Sequence, residues 1–204
     1  MKLVLSSSTD IFCCGIIDNN SNILTSIYVK EKKIQDKILK IIDFIKVLGY
    51  EYDSIGIDVG PGGFTGLRIG FSVIKTISFI KKIPVYGAYS LDLIRYNTVS
   101  DRVVSGIDGN GRIFLRVYEK ENKSDIFDFT ITEALKFIED KKLYDYEFIG
   151  NAFLNYSKYF SNLRINDRFY YPTVDSFSKC LVGPYNYEIL PYYGRKSQAE
   201  ELKC

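Results

Sequence analysis

Three apolar, β-branched-rich runs open the chain, Leu3 to Leu5, Ile11 to Ile17 and Ile23 to Val29, and polar breaks separate them at Ser6-Ser7-Ser8 and Asp18-Asn19-Asn20-Ser21-Asn22. Short apolar runs bounded by turn residues predict three antiparallel strands in a meander. From Glu31 the period changes. Ile34, Ile38, Ile41, Ile42, Ile45 and Leu48 recur at three- and four-residue spacings, which predicts an amphipathic helix from Glu31 to Leu48, and Gly49 stands where a helix commonly ends. A short strand follows from Ser54 to Asp58. It leads into a glycine-rich loop beginning at Gly60 and an apolar-rich helix from Phe64 to about Lys82, stopped by Pro84. Val85-Tyr86 starts a further strand, and Ser90 to Asn97 a short helix with Ser90 as its N-cap.

The second half is less periodic. Arg102 to Ile107, Arg112 to Tyr118, Ile126 to Phe129 and Glu147 to Ile149 read as strands, and Thr132 to Asp140 and Asn151 to Phe160 as helices. Thr173 caps a third helix ending near Gly183, and a tyrosine-rich tail runs from Tyr185 to Tyr193. No low-complexity segment or short repeat interrupts the chain. The order βββαβαβα over the first hundred residues is that of an α/β protein with the ribonuclease-H-like, actin-like fold. The expected organisation is therefore an N-terminal ribonuclease-H-like lobe with dimerisation helices over 1–100, a C-terminal lobe over 101–194, and a tail, 195–204, packing back on the first lobe.

Composition narrows the chemistry. The 204 residues are 46% hydrophobic and 25% charged, which suits a folded globular chain of one domain or two small lobes. None is histidine, so Ser-His-Asp triads, Cys-His dyads and His-containing zinc sites are excluded. Cys13, Cys14, Cys180 and Cys204 form no C-x-x-C pair and read as apolar fillers in a reducing compartment. A net charge of +2 supplies no strong field for a polyanion. The first apolar run stops at Ser6, too short for a leader or a membrane span, so the expected compartment is the cytoplasm, with no membrane partner.

Glycines 60, 62, 63 and 66, between a strand and a helix, permit close backbone approach and could cradle an anion. The loop is no Walker A motif, because Leu67-Arg68 follow Gly66 where Lys and Ser/Thr are needed. Nor is it a dinucleotide fingerprint, since Thr65 stands at the sixth position. The following helix carries more apolar surface than one sheet face requires. Only Thr65, Arg68, Ser72, Lys75 and Thr76 form a coherent polar strip, while Gly66, Gly70, Val73, Ile77 and Ile80 form an extra stripe. Either another helix of this chain covers that stripe or a second protein does.

Gly60-Pro61-Gly62-Gly63-Phe64-Thr65-Gly66-Leu67-Arg68-Ile69-Gly70 resembles the signature G-P-G-S-F-T-G-L-R-I-G of the TsaB (YeaZ) family, and the ending from Pro191 to Glu200 is similar to that family's P-x-Y-x-R-x-S-x-A-E. The resemblance implies a two-lobed actin-like ATPase fold and a part in bacterial synthesis of N6-threonylcarbamoyladenosine in tRNA. It further implies a non-catalytic subunit, without catalytic residues or metal ligands of its own. A larger TsaD-like paralogue would carry the metal and the transferase chemistry, and a small TsaE-like ATPase would join the pair. ATP and a divalent metal would then sit on those partners, and tRNA would be reached through the complex. Carried onto this chain, the partner interface would comprise Ile38, Ile41 and Ile45 on the first helix and Gly66, Gly70, Val73 and Ile77 on the second. A homodimer through the same face is compatible with it, and Gly70→Arg is expected to abolish partner binding while leaving the monomer folded.

The chain departs from the family at several places. Ser7 stands where many relatives end the first strand in Asp, Gly63 replaces the usual Ser, Ile34 replaces a histidine, and the second-lobe strand begins Asp108-Gly109-Asn110-Gly111-Arg112. A hydroxyl at Ser7 cannot supply the charge that holds a magnesium ion. The competing reading is an actin-like ATP-dependent kinase or ATPase with Asp10, Asp58 or Asp108 as metal ligands; a nuclease would need a larger carboxylate cluster. Lys30, Lys32, Lys33, Lys37, Lys40 and Lys46 around the first helix, and Tyr185, Tyr187, Tyr192 and Tyr193 in the tail, are the groups that could touch RNA directly.

Overall fold

The three opening runs form the expected meander: β1 (Lys2–Ser6) pairs antiparallel with β2 (Ile11–Ile17), and β2 with β3 (Ile23–Lys30). The computed structural model describes residues 1–30, 37–185 and 189–194. Ile34, Lys32, Lys33, Tyr187 and the tail 195–204, with the second part of the family-like motif and Cys204, lie outside the described residues. The described part of the first helix, α1, is Ile38–Val47, and β4 (Ser54–Gly60), α2 (Phe64–Lys81) and β5 (Val85–Tyr89) follow. Strands β4 and β5 extend the sheet in parallel from β1. The next helix, α3 (Ser90–Arg95), starts at the expected cap instead of after it, because the Ser90 hydroxyl is turned away to donate to Asp58 and Tyr89 occupies the N-cap position.

Beyond Arg102 the same plan is built again. Strands β6 (Arg102–Asp108) and β7 (Arg112–Glu119) form an antiparallel pair, followed by the two-residue β8 (Asn122–Lys123), then β9 (Phe127–Thr130), α4 (Ile131–Asp140), β10 (Glu147–Ile149), α5 (Asn151–Asn155) and β11 (Arg164–Asn166). The expected helix Asn151 to Phe160 is α5 plus a separate 3₁₀ turn, Ser157–Tyr159. In the second sheet β9 and β8 both pair with β7, and β10 and β11 add in parallel beside β6. The strand order β9-β7-β6-β10-β11 repeats β3-β2-β1-β4-β5.

Each half lends its last helix to the other. Helix α3 packs on β6 and β7 of the second sheet as well as on β4 and β5, whereas α6 (Val174–Cys180) returns to β1, β2 and β3. Val174 and Phe177 of α6 are buried with Val4, Cys13 and Ile17. The chain then adds β12 (Val182–Tyr185) antiparallel to β5, at the edge of the first sheet. The expected C-terminal lobe of 101–194 therefore needs correction. Residues from Val174 to Tyr185 belong with the first sheet, because burying α6 requires the apolar back of β1 and β2.

This exchange explains the unbroken apolar runs of β1, β2 and β6. Their sheets are covered on both faces, so neither face alternates with polar residues. Thr173 caps α6 as the sequence predicts, within a capping box shared with Ser176, and Thr130 and Glu133 form another at α4.

Candidate functional site

The turn after β1, the end of β4 and the glycine loop meet around one carboxylate. Asp58 is buried, and each of its oxygens accepts two hydrogen bonds. One takes Ser6 Oγ at 2.7 Å and Ser8 Oγ at 2.5 Å, and the other takes the Gly60 N–H at 2.9 Å and Ser90 Oγ. Burial pushes the Asp58 carboxyl above its usual range, opposed by these hydroxyl and amide donors. The knot joins β1, β4 and α3. The serine run Ser6 to Ser8 was its only local sign in the sequence, and nothing there pointed to Asp58 or Ser90 as its partners.

The glycine loop is packed directly onto that turn. Gly63 N–H donates to Ser8 O at 2.7 Å, and Ser7 Oγ donates to Gly66 O at 2.9 Å. A Cβ on Gly62 would stand 2.6 Å from Ser8 Cβ, and one on Gly66 would collide with the Ser7 carbonyl oxygen. Gly60 adopts φ +98°, open to glycine and strained for other residues, and a side chain there would strike the Tyr192 carbonyl. Of the remaining motif residues, Pro61 is buried, Thr65 and Arg68 are exposed, and the Arg68 guanidinium lies 5.4 Å over the Phe64 ring. Phe64 in turn packs against Tyr193, with ring centroids 4.5 Å apart. The Tyr192 N–H donates to Val59 O at 2.7 Å, so the tail is laced to the end of β4.

This arrangement does not fit metal-bound phosphate. The loop's close approach is made to the chain's own Ser7 and Ser8, and the Asp58 oxygens are already engaged by hydroxyl and amide donors. Asp10 instead pairs with Lys30 at 3.2 Å, and Asp108 accepts from Asn155 Nδ2 and Tyr156 Oη, each at 2.8 Å. The three carboxylates share no partner. Among the described residues no group of three or more acidic or cysteine side chains is placed to hold a metal ion.

The structure also sorts the expected partner interface. Ile38 and Ile45 point into the first core and are fully buried, and Ile41, Val73 and Ile77 are half-buried against the same core. Gly66 and Gly70 face Ser7, with Leu5 Cδ2 3.2 Å from where a Gly70 Cβ would be. The small-residue stripe is thus covered within the chain by the β1 turn, a solution that helix periodicity alone did not distinguish from a second protein. Left outside are Leu39, Phe44, Val47 and Leu48 around α1 and Ile80 at the end of α2; Val47 is 81% exposed and Ile80 72%.

Comparison with known proteins bears on this geometry. The family model of TsaD, tRNA N6-adenosine threonylcarbamoyltransferase, matches residues 31–162. The tRNA threonylcarbamoyladenosine biosynthesis protein TsaB of Buchnera aphidicola subsp. Acyrthosiphon pisum is 26% identical over 153 residues, 69% of each chain. A 54-residue stretch is 41% identical to an uncharacterized protein of Mycobacterium leprae and spans 26% of this chain but only 15% of that relative's length. Among solved structures, YeaZ from Pseudomonas aeruginosa superposes with a TM-score of 0.67 at 18% identity, over 86% of this chain and 87% of that one. A protein described as similar to peptidase YEAZ from the same organism superposes with a TM-score of 0.72, also at 18% identity, over 95% and 99%. At that identity the likeness establishes the two-lobed actin-like fold.

Proposed function

The chain belongs to the TsaB (YeaZ) family, within the threonylcarbamoyltransferase group, and from that premise we propose that it is a non-catalytic scaffold subunit for N6-threonylcarbamoyladenosine synthesis in tRNA. Its partner in this reading is a TsaD-like catalytic paralogue, joined by a TsaE-like ATPase; ATP and divalent metal belong to those subunits, and the site of action is the cytoplasm.

The observation that carries the reading is the apolar surface of α1. Ile38, Ile42 and Ile45 already satisfy the core, yet Leu39, Phe44, Val47 and Leu48 remain exposed on the same short helix. A helix of a self-sufficient domain needs one apolar stripe, and this one has apolar residues on most of its circumference. The docking surface is therefore redrawn from the residues that the resemblance implied to those that the fold leaves outside on α1, with the exposed Ile80 and the half-buried Ile41, Val73 and Ile77 as its further apolar candidates. About 800 Å² per partner would make a specific interface of standard size.

The Asp58 knot and the loop packed on Ser7 and Ser8 support a positioning role. They hold α2 against β1 without leaving a cradle for phosphate, so this chain contributes a fixed surface and its partner the chemistry. Exposed Lys40 and Lys46 flank the α1 surface and would lie near any RNA that the partner brings. The experiment is to mix the purified chain with its cognate TsaD-like protein and measure association. A complex that Val47→Glu and Phe44→Asp weaken is the expected result. No association, with and without ATP and the TsaE-like ATPase, overturns the reading.

A further inference from the structure

A cavity of about 780 Å³ opens between the end of β5, α3, the β7–β8 turn, the end of α6, β12 and the tail. Small-molecule sites occupy ~300–1,000 Å³. Neither the glycine loop nor α1 lines it, so it is distinct from the proposed docking surface.

Its walls have two characters. Gly87, Ala88, Leu181 and Ile189 form an apolar part, and Tyr89 and Tyr192 meet edge to face across 5.4 Å beside it. The other part is basic. Arg95, Lys120, Lys123 and Lys179 line the cavity against two carboxylates, Asp92 and Glu121. Asp92 is fully engaged: it accepts from Arg116 at 2.9 Å, Tyr118 Oη at 2.7 Å and Lys123 at 2.8 Å. Arg116 is itself buried behind Tyr89, 5.2 Å from the ring, and its Nε has no hydrogen-bond partner. Asp92 therefore answers two cations, Lys179 pairs with Asp175, and Glu121 is the one remaining carboxylate of the lining against Arg95 and Lys120. Among the described residues Arg95 and Lys120 have no ion-pair partner at all; Arg95 donates only to the Thr98 carbonyl, at 3.2 Å.

We propose that this cavity binds a small aromatic or heteroaromatic anion, its ring against the tyrosine and aliphatic wall and its anionic group toward Arg95 and Lys120. Apolar area removed from water would supply most of the affinity, and charge-assisted hydrogen bonds to two cations held in no ion pair, against the single carboxylate of Glu121, would set the preference for an anion. A neutral ring would leave those cations unanswered. The inference stands independently of the scaffold reading.

The probe is anilinonaphthalene sulfonate added to the full chain, with uncharged N-phenylnaphthylamine as its counterpart. Because exposed side chains of α1 also attract apolar dyes, the site is located by amide NMR shifts. Saturable sulfonate binding that moves Ala88, Leu181 and Val182 is expected, with the neutral dye weaker. Arg95→Gln combined with Lys120→Gln should weaken the sulfonate by about tenfold or more and leave the neutral dye unchanged. Lys120→Gln alone, at an exposed turn, gives a smaller loss in the same direction if the double variant does not fold. Equal binding of both dyes, unchanged sulfonate affinity in the variants, shifts confined to α1, or no saturable binding each overturns the proposal.

Discussion

The Ser7 hydroxyl donates a 2.9 Å hydrogen bond to the carbonyl of Gly66, and the Ser7 carbonyl oxygen stands where a side chain on Gly66 would begin. The two residues are therefore coupled through backbone contact, and the glycine is required by the chain's own fold. Gly66→Ala should destabilise the protein by roughly 1–3 kcal/mol or more, since backbone must move to admit one methyl. Gly63→Ser, which restores the family's usual residue, should be nearly neutral: its Cβ would sit at an ordinary 3.5 Å from Ser8 O. Urea unfolding of the two variants checks the contrast. Gly70→Arg belongs with Gly66→Ala, because Ser7 and Leu5 fill the space, and circular dichroism should show loss of fold instead of a folded monomer that has lost its partner.

Asp58 and Asp92 should respond to pH in opposite senses. Burial raises the Asp58 carboxyl, so the folded state keeps that proton to higher pH than the unfolded chain does. Its contribution is fully present below the ordinary carboxylate range and is lost as pH rises through its raised folded value. For Asp92, burial acts upward, but Lys123, Tyr118 and Arg116 outweigh it and hold the carboxyl low. That contribution is present above the unfolded value and is lost as pH falls through the lowered one. Unfolding free energies from about pH 3 to pH 8 should show Asp92→Asn costing most at neutral pH and least in acid, with Asp58→Asn changing in the other direction.

Surface and core positions on α1 should separate cleanly. Val47→Glu and Phe44→Asp are expected to leave the melting temperature within about 2 °C while removing partner association, because both side chains are exposed. Ile45→Asp, one residue from Phe44, should unfold the chain by burying an unpaired charge in the first core. Differential scanning calorimetry beside a binding assay distinguishes the two classes.

Thr173 does two things at the start of α6. Its side chain accepts from Ser176 N–H, closing the cap, and its hydroxyl donates to Asn97 Oδ1 at 2.6 Å, which ties α6 to the segment after α3. Thr173→Ala should cost about 1–2 kcal/mol by chemical denaturation, and Thr173→Ser should recover most of it.

The buried thiols should be silent. Burial raises the Cys13 thiol and pushes Cys14 up to about 12, against a small opposing pull from the Gly15 backbone on Cys14. Ellman's reagent near neutral pH should label neither in the folded protein and both after denaturation. Labelling of the native protein at Cys13 or Cys14 would contradict their placement between sheet and helices.

The meander, α1, α2, the Thr173 cap and the strand Glu147–Ile149 were legible because each rests on local pattern: strand-length apolar runs, helical spacing, or a capping hydroxyl before a helix. The short strands β8, β11 and β12 were not, since Asn-Lys, Arg-Ile-Asn and Val-Gly-Pro-Tyr contain no apolar run and read as turn or loop. The glycine motif was legible as a motif. Its role was not, because a close approach names no partner, and here the partner is Ser7, 59 residues away.

By itself the sequence determined most of the longer helices and strands, excluded imidazole chemistry, and carried the family signature. Only the tertiary structure decided which side of each helix is spare. An apolar stripe records how much surface must leave water and is silent about what covers it, so Ile38 and Gly66 turn inward while Phe44 and Val47 stay outside. The same holds for charge. Asp58 finds three serines from two distant segments, Asp92 gathers Arg116, Tyr118 and Lys123 across the lobes, and the cavity beside them draws its walls from Val59 to Tyr192. Such clusters arise from chain crossings that no spacing along the sequence encodes.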